Sequence, residues 1–168
     1  ATNRLRHVDA FDIVTDQTST GNGDGGQATD ARFAQPIDLA RVGTTLYVAD
    51  SLVSSGGGGV VRAIDLTTGV ISTVAGTGAN ASSGDGGPAV AAALGGVTAL
   101  AHDHTRGTAG SLLVSGTDSR VRRIDLASGI ISTLVGNGTV GVVAGPTPAL
   151  AAPLGFQISG IAVADDGR

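Results

Sequence analysis

Few residues in this chain have the types and spacing to do chemistry. His102-Asp103-His104 places two imidazoles at i and i+2. On a strand these share a face and could hold a metal, with Asp103 turned the other way. A catalytic zinc takes three protein ligands, and the remaining histidine, His7, is far off in sequence. The runs Gly21-Asn22-Gly23-Asp24-Gly25-Gly26 and Gly84-Asp85-Gly86-Gly87 offer Asp24 and Asp85 as calcium ligands. Calcium takes roughly 6–8 oxygens, usually from several carboxylates, and each run brings one. Neither carries the Lys-Ser/Thr of a phosphate loop, and glycines at positive φ in a tight connection account for both. Ser and Thr are plentiful, but no Gly-x-Ser-x-Gly elbow presents one as a nucleophile. With no Cys there is no thiolate site and no disulfide. Neither a catalytic residue nor a cofactor nor a metal is expected.

A second constellation recurs. Arg6, Arg62 and Arg122 occupy one position of a repeat, each followed three residues later by Asp9, Asp65 or Asp125. The arginines could form a ring for an anionic ligand. The simpler expectation is structural, because a guanidinium is a fixed fork of donors that carboxylates and loop carbonyls satisfy. A residue present in every copy serves what every copy needs, whereas a binding site is usually asymmetric. On that basis Arg62→Ala and Arg122→Ala should each lower stability by roughly 1–3 kcal/mol through unsatisfied partners. The run Arg120-Val121-Arg122-Arg123 is not one basic patch, since Arg120 and Arg122 face opposite to Arg123 on a strand.

The elements that must carry these residues follow from composition. All 14 acids are Asp and all 10 bases are Arg; Glu, Lys and Met are missing. Those are the straight-chain residues that favour helices. Gly occurs 28 times, and the remaining Ala, Val, Thr, Ser, Ile and Leu suit strands and turns. Hydrophobic residues make up 41%, enough for a packed core. The net charge of −4, with one Tyr and three Phe, argues against a nucleic-acid surface. No apolar run reaches the ~20 residues of a membrane span.

Val61–Gly76, VRAIDLTTGVISTVAG, returns sixty residues later as Val121–Gly136, VRRIDLASGIISTLVG. An older copy starts at Leu5-Arg6-His7-Val8-Asp9. Each copy holds four short strands: an apolar segment (Ile37–Val42, Val97–His102, Ile158–Ala164), a second strand (Leu46–Asp50, Leu112–Gly116), a third (Val61–Leu66, Val121–Leu126) and a fourth (Val70–Ala75, Ile130–Val135). Four antiparallel strands on such a period predict an all-β fold of propeller blades; a solenoid of stacked hairpins is the alternative.

The phrases VRRIDLASGIISTLVG, GDGGPA (Gly84–Ala89) and LYVAD (Leu46–Asp50) resemble bacterial NHL repeats over nearly the whole chain. Departures are Ala144-Gly145-Pro146-Thr147 in place of GDGG, Ser115-Gly116 in place of Ala-Asp, and the insertion from His102 to Gly110. The resemblance implies a partial NHL-type β-propeller over residues 1–168, with blade parts 1–30, 31–90, 91–150 and the start of another at 151–168. The class spans protein-binding and RNA-binding propellers, extracellular sensors and a metal-dependent lyase, so fold alone does not choose.

The expected function is a non-catalytic interaction or scaffold module that binds a protein or another extracellular ligand. The alternatives are a metal-dependent lyase or hydrolase and a self-assembling surface protein. Richness in Thr, Ser, Gly, Ala and Val, with the resemblance, points to an extracellular or cell-surface setting. By strand count the chain opens on the third strand of a blade at Asn3–Arg6 and closes after a first strand at Ile161–Ala164. Raw strand edges then invite self-association, and the ring would be completed by further sequence or by a second copy through strand exchange.

Overall fold

Two Asp-x-x-x-Gly turns organise the chain. Gly69 and Gly129 take φ of +76° and +71°, and their N–H groups donate to Asp65 O and Asp125 O at 2.7 and 2.8 Å. A β-branched run on either side of such a turn folds back as a hairpin. The computed structural model describes residues 23–52, 56–105, 109–142, 145–155 and 158–164.

Around the first turn stands a four-stranded antiparallel sheet: β1 (Pro36–Val42), β2 (Thr45–Ser51), β3 (Gly59–Asp65) and β4 (Ile71–Ala75), side by side in chain order. Then β5 (Ser82–Ser83) pairs with β6 (Ala93–Leu94) as a two-stranded strap. A second four-stranded sheet repeats the first with β7 (Val97–Asp103), β8 (Ser111–Gly116), β9 (Val121–Asp125) and β10 (Ile131–Val135). The register repeats too: Val48 faces Arg62 as Val114 faces Arg122. Helix among the described residues amounts to two three-residue 3-10 turns, Ala89–Ala91 and Ala149–Ala151. None is long and apolar enough to cross a membrane.

The protein is therefore all-β, with antiparallel sheets of four, two and four strands, and the described residues close neither a barrel nor a ring. The strands predicted at Ile37–Val42, Leu46–Asp50, Val61–Leu66, Val70–Ala75 and their second-copy counterparts are present to within about two residues at their ends. The first strand expected at Ile158–Ala164 is not: that segment enters no ladder among the described residues. A strand exists only through backbone pairing, and Ile158 O is instead held by the Thr98 and Ser115 hydroxyls. The third strand expected near Arg6 lies outside the described residues.

Pleating gives each sheet a small-residue face and a large-residue face. Ala40, Ala49, Val61 and Ala75 of the first sheet pack onto Leu100, Leu112, Val114, Ile124 and Ile131 of the second in one core, with Ala89, Ala92 and Leu94 filling the outer part. Small against large lets the sheets approach closely. Asp38 on β1 ties them, accepting a 2.9 Å bond from the Leu100 N–H. The large face of the first sheet holds Val48, Ile64 and Ile71, covered by Ala28, Ala31 and Phe33.

Candidate functional site

The recurring arginines lie under the glycine-rich loops. Gly25 and Gly26 bond to Ile71, and the Ala28 N–H donates to Gly69 O, so residues 25–28 run along the outer edge of β4. Gly86, Gly87 and Ala89 meet Ile131 and Gly129 in the same way along β10. Each loop belongs to one repeat in sequence and clasps the sheet of the next. The β4 edge of the first sheet and the β10 edge of the second are thereby partly occupied, which limits them as templates for edge pairing.

The clasps carry the partners of the buried arginines. Arg62, 1% exposed, makes an ion pair with Asp24 of the first loop and donates to Arg32 O at 3.5 Å. Its guanidinium lies 5.7 Å from the Phe33 ring centroid, within cation–π range. Arg122, 3% exposed, lies 3.7 Å from Asp85 of the second loop and 3.1 Å from Asp118. It also donates to Ser83 O (3.1 Å), Ala93 O (2.9 Å) and the Ser82 hydroxyl, locking the β5–β6 strap. Ser82 further accepts from Arg120 at 2.8 Å and donates to Asp118 at 2.8 Å, so Arg120 and Arg122 do share a side. The Thr133 hydroxyl donates to Asp85. Burial pushes the Asp24 carboxyl up, but the Thr73 hydroxyl and Arg62 outweigh it and hold it below the usual Asp value.

Asp65 and Asp125, three residues after the arginines, turn away to another task. Asp65 accepts from the Thr67 and Thr68 N–H groups at 2.7 and 3.2 Å. Asp125 accepts from the Ser128 N–H and hydroxyl at 2.7 and 2.8 Å. These bonds hold both carboxyls below the ordinary Asp value, the Thr67 N–H acting most on Asp65 and the Ser128 N–H most on Asp125. With folded values depressed, the stabilisation is complete above the unfolded value near pH 4 and is lost as pH falls through the folded one. The double variant Asp65→Asn, Asp125→Asn should therefore show a flatter fall in urea midpoint between about pH 5 and pH 2 than the parent. Parallel pH curves for the two proteins would refute this.

His102 and His104 come within 6.1 Å, ring centre to ring centre, tilted by 55°. Between them Asp103 is buried and accepts from the Thr105 N–H and hydroxyl at 3.0 and 2.6 Å. No group of three metal-ligating side chains occurs among the described residues, and neither Asp24 nor Asp85 joins a carboxylate cluster. Arg6, Asp9 and His7 lie outside the described residues. An open hollow of about 420 Å³ borders Arg62, Phe33, Asp50 and Leu52, but Asp50 is committed to the Ala34 and Gln35 N–H groups at 3.0 and 2.7 Å. The residues missed from sequence as arginine partners are Asp24, Asp85, Asp118 and Ser82. A signal for the first two exists, since Asp24 precedes Arg62 by 38 residues and Asp85 precedes Arg122 by nearly the same interval.

Compared with known proteins, the sequence matches no family model and no curated protein.

Proposed function

We propose that this chain is a non-catalytic interaction scaffold, a partial NHL-type β-propeller whose two four-stranded sheets are consecutive blades, acting in an extracellular or cell-surface setting. The observation that carries this is the clasp. The charged residues that recur with the repeat are engaged within the fold: Asp24 and Asp85 on the arginines, Asp65 and Asp125 on the turns. Repetition is thus explained by stability, and partner recognition falls to the surfaces where the copies differ. The face-to-face stack of meander sheets, small side against large, supports the blade reading, as do the NHL-like phrases.

Elemental analysis of the intact purified protein tests the proposal against a metal-dependent lyase or hydrolase. The expected result is zinc and calcium far below one equivalent per chain after extensive dialysis. One equivalent of either, retained through dialysis, would overturn it.

A further inference from the structure

The two repeats diverge in chemistry at a matched turn. After β4 the chain runs Gly76-Thr77-Gly78-Ala79, and after β10 it runs Gly136-Asn137-Gly138-Thr139. The backbones agree. Gly76 and Gly136 donate to Ala89 O and Ala149 O, each at 2.9 Å, and Thr77 and Asn137 donate to Ala92 O and Ala152 O at 2.9 and 3.0 Å. Gly78 and Gly138 both take positive φ, +74° and +83°. The Thr77 hydroxyl accepts from the Ala79 N–H at 3.3 Å. The Asn137 side chain takes over that task as an Asx turn, its Oδ1 accepting from the Thr139 N–H at 2.8 Å.

An asparagine there brings a reaction that threonine cannot. Its side-chain amide carbon is an electrophile, and a following glycine has no Cβ to hold the next backbone nitrogen away from it. The Gly138 N–H has no hydrogen-bond partner among the described residues, and residues 137–139 are exposed to water. Asn137 Oδ1 accepts a further bond from the Thr139 hydroxyl. Donors thus stand where negative charge develops when that carbon is attacked. Asn80, exposed ahead of Ala81, has a methyl-bearing successor and no donor on its side chain among the described residues.

We propose that Asn137 is a self-modification site, converting to aspartate and isoaspartate through a cyclic imide and so loosening the chain's hold on residues 149–154. The Gly138 nitrogen gives its proton to hydroxide and attacks Cγ of Asn137, closing a succinimide ring. The electron pair displaced onto Oδ1 returns, the Cγ–Nδ2 bond breaks, and Nδ2 leaves as ammonia with a proton from water. Water then opens the ring at either carbonyl. The net change is amide plus water to carboxylate plus ammonium, with nothing oxidised or reduced. Loss of Nδ2 removes its 2.9 Å bond to Ala151 O and sets a carboxylate against that carbonyl. Opening to isoaspartate also inserts a carbon into the main chain, beside the Asn137 O that Arg120 holds at 3.0 Å. The bonds from Gly141 N–H to Leu154 O and from Leu154 N–H to Thr139 O, 3.1 Å each, lie just beyond. The reaction is independent of any partner the scaffold binds.

Timed incubation of the purified full chain in mildly alkaline buffer, followed by trypsin digestion and mass spectrometry, tests it. Asn137 is the single asparagine of peptide Ile124–Arg168, and Asn80 that of Ala63–Arg106. The first peptide should gain the amide-to-acid mass at Asn137, with an isoaspartate linkage, while the second stays unchanged. Thr139→Val removes the hydroxyl donor at an exposed position and should slow the gain by roughly tenfold, less than losing an oxyanion donor costs in a closed active site. Urea should abolish that difference. Asn137→Thr restores the residue of the first repeat and should stay unmodified, with parent-like circular dichroism. Hydrogen exchange at Gly141 and Leu154 should quicken in the aged parent and not in Asn137→Thr. An unmodified Asn137, a gain no faster than at Asn80, a parent-like rate for Thr139→Val in native buffer, or unchanged exchange in a fully converted chain would each overturn the proposal.

Discussion

Arg122→Ala is expected to lower the unfolding free energy by about 3–5 kcal/mol, the range for removing one partner of a buried pair. The side chain is 3% exposed and its fork ends on Ser83 O, Ala93 O, Ser82 and Asp118. Truncation leaves two strap carbonyls without that donor and a mostly buried Asp118 without its countercharge. Arg62→Ala should cost less, roughly 1–3 kcal/mol, because its partner Asp24 is about one-third exposed and water can replace the guanidinium. Arg122→Lys keeps the charge but not the planar fork, and should recover only part of the loss. Urea unfolding of the three variants gives the order, Arg122→Ala lowest. A parent-like midpoint for Arg122→Ala would show that the strap holds without it, and would revive an anion-binding role for the recurring arginines.

Gly84→Ala should be comparably damaging, while Gly86→Ala two residues on should be mild. Both glycines sit at positive φ, +96° and +83°, which costs a side chain about 1–2 kcal/mol. They differ in space. A Cβ on Gly84 would stand 2.6 Å from the Ala92 Cα, whereas one on Gly86 meets nothing within 4 Å. Ala92 is fully buried, and its carbonyl holds the Thr77 N–H at 2.9 Å, so the backbone cannot give way cheaply. Overpacking adds about 1–3 kcal/mol, making the total for Gly84→Ala about 3 kcal/mol against about 1 for Gly86→Ala. Equal thermal midpoints for the two variants would refute the close approach.

The strands were legible because they are set by local signals. Thr67-Thr68-Gly69 and Ala127-Ser128-Gly129 mark turns, and the β-branched runs beside them pair with whatever lies across the turn. The sixty-residue identity then required the second sheet to copy the first. The clasp was not legible, because Gly23–Gly26 and Gly84–Gly87 hold one carboxylate each, and in sequence such a loop is explained by its glycines alone. The partner of Asp24 lies 38 residues away, across a whole sheet, and only the folded chain brings Arg62 beneath it. The three-residue spacing from Arg62 to Asp65 was the more visible pattern, yet alternation on β3 sends the two to opposite faces. The small-and-large asymmetry was present in sequence as Ala40, Ala49 and Ala63 against Leu39, Val48 and Ile64. It acquires meaning only once one sheet is seen lying on the next.

The offset of the clasp also fixes where the protein can be divided. A cut placed between sequence copies, just after a glycine-rich loop, strips the following sheet of a loop carboxylate that faces its buried arginine. The portable module is instead loop first and sheet second: Gly23 through Ala75, or Ser82 through Val135, the second beginning at the strap residues that Arg122 also uses. Anyone lengthening the array by grafting should splice before Gly23 or before Ser82, so that every transplanted arginine travels with its loop and strap partners.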